Sequence, residues 1–351
     1  LLLSAVLAAT IEVPAGTPLS EAMGRARPGD VVRLGPGLHA GSLGRLSAVR
    51  VEGAGVGRTR VVAPEGQDGA VVTGRVELAG LSIEAGAARS ALKVLGGEAI
   101  LEGVSLSGGA IGAFIDDGSI TGRDVALAGG YALLQKSGEV KLRDGVAGAS
   151  GEARAGISLL RGRLELARFA ITGPFAEAAL TVSGGTAVVD ELVIRAPGPT
   201  GIAVTRGELA GRDVEVAGAR ELPVKGSQGV DAILGDCAQV RRGTLRLASS
   251  ALASCGGTAL SASGGEIRLD GVELQGGSAG GIVLLDGARA DLRGNWITGR
   301  GPALVVATGS QVDATFNRWR ADPVFWVECS SGSRLRLGFG EHHAAPCSAP
   351  R

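Results

Sequence analysis

Along most of the chain, short runs of alternating apolar and small or polar residues are broken by glycine or by Asp-Gly. Aligning the runs on Gly97, Gly118, Gly138, Gly162, Gly185, Gly207, Gly265, Gly287 and Gly309 exposes a repeat of about 22 residues, with one long gap between Gly207 and Gly265. Seven residues after the glycine stand Val104, Val125, Phe169, Leu192, Val214, Val272 and Phe316, with Gly145 and Gly294 as exceptions. Nine residues after it stand Leu106, Leu127, Ile171, Ile194, Val216, Leu274 and Trp296. Columns two residues apart share one face of a strand, so each repeat carries short strands whose apolar side faces inward.

One turn of this kind cannot bury its inner face alone. Stacked on like neighbours it forms a continuous core, and its backbone groups pair with the turns above and below. The pattern predicts an all-β, single-stranded parallel β-helix, a solenoid of about eleven coils at the ~4.8 Å strand spacing. Near the start, Thr17 and Pro18 precede an apolar face of Leu19, Ala22, Met23 and Ala26. That spacing predicts an N-terminal helical cap with Thr17 as N-cap and Pro18 as the first helical residue. The solenoid is assigned to residues 11–320. Residues 321–351 form a C-terminal disulfide-clipped cap, next to a local concentration of aromatics at Trp319, Phe325, Trp326 and Phe339.

Composition narrows the classes. Glycine fills 60 of 351 positions, well above the usual ~7%, as a narrow tube with tight turns requires. The apolar fraction of 45% excludes a disordered chain, and glycine lacks the period of three of collagen. With 35 basic and 35 acidic residues the formal charge is zero. The chain as a whole therefore has no electrostatic footprint for nucleic acid or an anionic membrane. No segment approaches the ~18 uninterrupted apolar residues of a membrane span.

The stretch Ile11-Glu-Val-Pro-Ala-Gly16, then Leu19 and Ala22, then Arg27-Pro-Gly-Asp30-Val-Val-Arg-Leu-Gly-Pro-Gly37, resembles the N-terminal signature of the pectate-lyase-like superfamily. Gly294-Asn295-Trp296-Ile297 and Phe316-Asn317-Arg318-Trp319 resemble late coils of the same group. The resemblance implies a right-handed parallel β-helix over nearly the whole chain. It leaves function open, because that superfamily includes lyases, hydrolases, epimerases, adhesins and proteins without known activity.

The first ten residues read as the tail of a signal-peptide hydrophobic region, with a first strand over residues 5–13 as the alternative. Four cysteines fall as Cys237/Cys255 and Cys329/Cys347. An even count in an exported chain favours disulfides, here the two local pairs. Zinc at Cys329, His342, His343 and Cys347 is disfavoured by the adjacent histidines, so no metal is expected.

Candidate chemistry is sparse. Asp116-Asp117 has the paired carboxylates of a glycoside hydrolase but no Gly-His-Gly element, and Asp-Asp-Gly is ordinary turn chemistry. The repeat places Asp116/Asp117, Lys136, Arg161 and Arg206 at nearly equivalent turn positions, the first three on consecutive coils ~5 Å apart. A polysaccharide lyase needs a cation to neutralise a uronate and a Lys or Arg base to take its α-proton, and Lys136 or Arg161 could serve. Ca²⁺ enters only under that reading, since no dense acidic cluster is visible. A second column, Arg123-Asp124, Arg143-Asp144, Arg212-Asp213, Asp190-Glu191 and Asp270, reads as ion pairs between coils. The segment 53–59 lacks the Gly-Lys-Ser/Thr ending of a phosphate loop and reads as a turn.

The period breaks at residues 147–155, 217–229 and 248–257. Insertions in a solenoid become loops on one side, often the binding side, so the binding candidates are Glu152, Arg154, Arg220, Glu221, Lys225 and Gln228. The expectation is a non-catalytic, exported structural or binding protein of the periplasm, the cell surface or the medium. It would use no cofactor and would hold a polysaccharide or an envelope protein. An acidic-polysaccharide lyase centred on Lys136 and Arg161 is the alternative.

Overall fold

The computed structural model describes residues 8–220, 222–225, 231–321, 327–330 and 332–338. The chain divides into two compact units, Leu1–Gly151 and Glu152–Arg351. Each is a stack of parallel strands, and the fold comprises about 14 turns rather than eleven. The early coils vary in length and lack the glycine column on which the repeat was aligned, so the sequence count falls short.

In the first unit, Val31–Leu34, Val49–Glu52, Arg75–Ala85, Glu98–Gly108, Ser119–Gly129 and Glu139–Ala149 pair in succession. A second sheet runs through Gly44–Leu46, Ala70–Val72, Ser90–Leu95, Ile111–Asp116 and Tyr131–Gln135. Val76, Leu78, Leu81, Ile83, Leu101, Val104 and Leu106 fill the space between and are fully buried. The long strands bend at one left-handed residue each: Gly80, Gly103, Asp124 and Asp144, with φ between 53° and 61°. Asp tolerates this conformation through its short polar side chain, whereas most residues lose ~1–2 kcal/mol there. Asp124 and Asp144 therefore shape the backbone as well as standing 3.7 and 3.5 Å from Arg123.

The glycine column has a steric cause. A Cβ on Gly118 would lie 2.6 Å from the Gly97 carbonyl oxygen, and one on Gly207 would lie 2.9 Å from that of Gly185. The turns stack backbone on backbone, so no side chain fits. The helix Leu19–Arg25 buries Leu19 and Ala22 as expected. Its N-cap is Pro18 rather than Thr17, because Pro18 is still extended (ψ 118°) and no side chain caps the helix.

In the second unit, Arg163–Thr172 pairs with Thr186–Gly198. The latter pairs with two shorter arms, Glu208–Arg212 and Glu215–Ala219. The arms continue through Thr244–Ala248 and Ala251–Ala253, Glu266–Asp270 and Glu273–Gly276, then Arg289–Arg293 and Trp296–Gly299. A second sheet runs from Ala155–Leu159 through Ala178–Val182, Thr200–Val204, Asp236–Arg241, Thr258–Ser263 and Gly280–Leu285. The insertion expected at 217–229 is real: an antiparallel hairpin, Leu222–Lys225 with Asp231–Leu234, leaves the solenoid there. The expected loop at 248–257 is instead regular, with Ala251–Ala253 following Thr244–Ala248 after a tight turn.

Cys237 and Cys255 form the predicted disulfide, both buried, with Cα atoms 5.5 Å apart. Closing a loop of 18 residues stabilises the fold by about 3 kcal/mol in the chain-entropy view. Cys329 ends the strand Val327–Cys329. Its expected partner Cys347, with His342 and His343, lies outside the described residues, as do residues 1–7 of the expected signal remnant.

The late coils correct the inward columns. Glu266 pairs with Arg289, so Gly265 faces Ala288, and Gly287 is an extra turn residue. One added residue reverses the pleat. Trp296 and Phe316 therefore point outward, 49% and 65% exposed, while Asn295 and Ile297 are buried. Asn295 accepts from Val272 N–H (2.9 Å) and donates to the Leu269 carbonyl (3.2 Å) and to Asn317 Oδ1 (2.8 Å). Asn317 donates to the Leu292 carbonyl.

Candidate functional site

Of the lyase candidates, Asp117, Lys136 and Arg161 are exposed at turns, and Asp116 is half-buried at the end of the strand Ile111–Asp116. Lys136 Nζ lies 2.6 Å from Asp116 Oδ2, and Ser137 Oγ donates to Asp116 Oδ1 at 3.0 Å. Asp117 adopts a left-handed φ of 56° and its N–H donates to Ser137 Oγ. The turn is thus tied by side-chain hydrogen bonds, with the Lys136 ammonium held on a carboxylate. Asp116, Asp117 and Lys136 belong to the first unit and Arg161, also exposed, to the second.

Of the loop candidates, Arg154 pairs with Glu177 at 2.7 Å and Glu152 is exposed. Arg220 is exposed, and its N–H donates to the Gly198 carbonyl. Lys225 ends the first strand of the inserted hairpin, opposite Asp231. Glu221 and Gln228 lie outside the described residues.

A groove of about 590 Å³ opens elsewhere, on the outer face of the second unit. It is built from two outward columns that alternate with the buried Val189, Leu247 and Leu269. One column runs Val188, Ala210, Arg246, Arg268, Asp291, and the other runs Asp190, Arg212, Ala248, Asp270, Arg293. Val188, Ala210, Gly211 and Ala248 are short, so they leave a depression that the longer charged side chains flank. Arg246 is held by Glu208. Arg293 is clamped by Asp291 through two bonds of 2.9 and 3.0 Å, which hold its guanidinium above the ordinary arginine value.

Arg212, Arg268, Asp190 and Asp270 are exposed and make no ion pair among the described residues. The groove thus offers the forked donors of Arg212 and Arg268 beside the carboxylates of Asp190 and Asp270 over a partly apolar floor, with Asp270 standing opposite Arg293 and attracting it. No histidine, cysteine or serine lines it. Arg212, Asp190 and Asp270 were visible in the sequence as a charge column. The groove was missed because its signal is the set of small residues Ala210, Gly211 and Ala248, which becomes spatial only once the register is known.

No protein-family model matches the chain, and no curated protein matches it. Solved structures do. Tailspike protein 3 of bacteriophage CBA120 superposes with a TM-score of 0.53 at 12% identity, over 90% of this chain and 59% of that one. The chain thus spans less than two thirds of the tailspike's length. The catalytic domain of a GH87 alpha-1,3-glucanase gives a TM-score of 0.47 at 12% identity, over 92% and 68% of the two chains. The alginate lyase from Paenibacillus sp. gives 0.44 at 16% identity, over 75% and 94%. The likeness to the tailspike is one of fold alone, the parallel β-solenoid described above.

Proposed function

We propose that the protein is an extracytoplasmic, non-catalytic binding protein that holds a polysaccharide in the groove of its second unit. The carrying observation is the set Arg212, Arg268, Asp190 and Asp270, which face one groove without ion-pair partners among the described residues. Sugar hydroxyls donate and accept, so guanidinium forks and carboxylates side by side can bind both ends of successive hydroxyl groups. The volume of about 590 Å³ falls within the ~300–1,000 Å³ typical of ligand sites. A shared fold does not specify function, so the reading rests on this geometry. The buried Cys237–Cys255 disulfide supports an oxidising compartment. No helix among the described residues is long and apolar enough to cross a membrane.

The test is calorimetric titration with the oligosaccharides retained best on a glycan array. Arg212→Ala and Arg268→Ala should each weaken binding about tenfold, as loss of a charged hydrogen bond does. Unchanged affinity in both variants would refute the groove. Incubation with acidic polysaccharides, with and without Ca²⁺, should yield no ultraviolet-absorbing unsaturated uronate. A product signal abolished by Lys136→Ala would replace the binding reading with the lyase.

A further inference from the structure

We propose that the turn edge centred on Arg206, Arg241 and Arg242 is a second binding site, for a polymer carrying sulfate or phosphate ester groups. It does not depend on the groove reading. The flanking strands determine its register: Val204 pairs with Val240 and Glu208 with Thr244. Thr205-Arg206-Gly207 therefore lies against Arg241-Arg242-Gly243, and Arg242 stacks on Arg206 at the ~4.8 Å coil spacing. On either side the same turn position is glycine. The pairs Val182–Val204 and Thr186–Glu208 put Gly184 next to Arg206, and Arg241–Ser263 and Thr244–Glu266 put Gly264 next to Arg242. Three exposed arginines thus stand on two adjacent coils, flanked at the Arg206/Arg242 position by Gly184 and Gly264, which carry no side chain; the Arg242 stem packs over Gly264.

Like charges stacked in register repel, and the surroundings do not neutralise these. None of the three arginines makes an ion pair among the described residues. Glu208, beside the turn, is engaged by Arg246. Asp286, one coil beyond Gly264, keeps its charge while accepting from Ser263 Oγ at 2.6 Å, but it makes no ion pair with Arg242 and leaves three cations against one anion there. Arg242 also adopts a left-handed φ of 58°, a conformation that favours glycine and disfavours arginine. The zero net charge of the chain conceals this local concentration of positive charge.

The chemistry selects the anion. One guanidinium fork saturates the two oxygens of a carboxylate. A sulfate or phosphate monoester presents three terminal oxygens and can be bridged by two forks at once. Clustered guanidiniums over a single coil spacing match such a group, and their alignment along the stack suits esters repeated along a chain.

The test titrates the protein with dextran sulfate, dextran phosphate, carboxymethyl dextran and single-stranded DNA of similar length. The comparison is with the Arg206→Gln/Arg241→Gln/Arg242→Gly variant, whose last change suits the left-handed backbone. Dextran sulfate or dextran phosphate should bind in a salt-dependent way, and the stronger of the two identifies the ester. The triple variant, with an unchanged circular dichroism spectrum, should lose at least about tenfold in affinity. The Arg212→Ala/Arg268→Ala groove variant should bind the same ester polymer as wild type. Binding to neither ester polymer, retained affinity in the triple variant, or equal affinity for carboxymethyl dextran or DNA would overturn the proposal.

Discussion

The asparagine pair in the late coils allows a stability experiment with an internal control. In Asn295→Ala, the Val272 N–H and the Leu269 carbonyl lose the partners at 2.9 and 3.2 Å, and Asn317 Oδ1 keeps only the Asn295 N–H. Val272 and Asn295 are each 1% exposed, so water does not replace the lost bonds without local opening. Only the Val272 N–H is orphaned, since the Leu269 carbonyl stays in the ladder with the strand Arg289–Arg293. At ~1–1.5 kcal/mol for that group, plus a small cavity, the cost is about 2 kcal/mol. The register supplies the control. Two coils earlier the same column position is Ser250, whose Oγ accepts from Val214 N–H at 3.0 Å and donates to the Ala248 carbonyl at 2.7 Å. Asn295→Ser should therefore recover the bond to Val272 and cost only about half as much as alanine. Because a solenoid can open locally, hydrogen exchange at the Val272 amide is the primary readout, with urea denaturation beside it. Equal exchange in wild type and Asn295→Ala, or a serine variant no better than alanine, would refute the reasoning.

Phe316 is 65% exposed and holds a left-handed φ of 58°, a position filled by Gly271 and Gly294 in the two preceding coils. Phe316→Gly should therefore stabilise the fold by about 1 kcal/mol in urea denaturation, since relief of backbone strain outweighs the little burial lost. In the first unit, Asp30 accepts from the N–H groups of Arg27 and Ala9 at 2.8 Å each, which hold its carboxyl below the ordinary value. A lowered native value means the stabilisation is complete above the unfolded value near ~3.9 and is lost as pH falls through the native one. Exchange at the Ala9 and Arg27 amides, corrected for intrinsic rate, should rise below that pH in wild type, and Asp30→Asn should abolish the pH dependence.

The interior was legible because its rule is local. Val104 and Leu106, Phe169 and Ile171, and Leu192 and Ile194 face inward as their two-residue spacing requires. Where the same spacing misled, at Trp296 and Phe316, the cause was the extra turn residue at Gly287. Spacing along the chain does not separate a stacked glycine from an added one. Stacking distinguishes them: a Cβ on Gly243 would lie 2.8 Å from the Gly207 carbonyl oxygen, while one on Gly287 would meet nothing within 4 Å.

By itself the sequence determined that this chain winds into a parallel solenoid with a tight glycine-lined turn, a helical N-terminal cap and a local Cys237–Cys255 bridge. Those features follow from residue type at short separation, where chain geometry leaves few alternatives. Which charges meet was decided only by the tertiary structure. Arg206 and Arg242 belong to adjacent coils that are separated in sequence by an inserted hairpin, and the groove depends on Ala210 standing beside Val188 and Arg246. Coil lengths vary, and each inserted residue shifts the register of every side chain that follows. Surface neighbours are therefore set by strand pairing, which the spacing of residues along the chain does not encode.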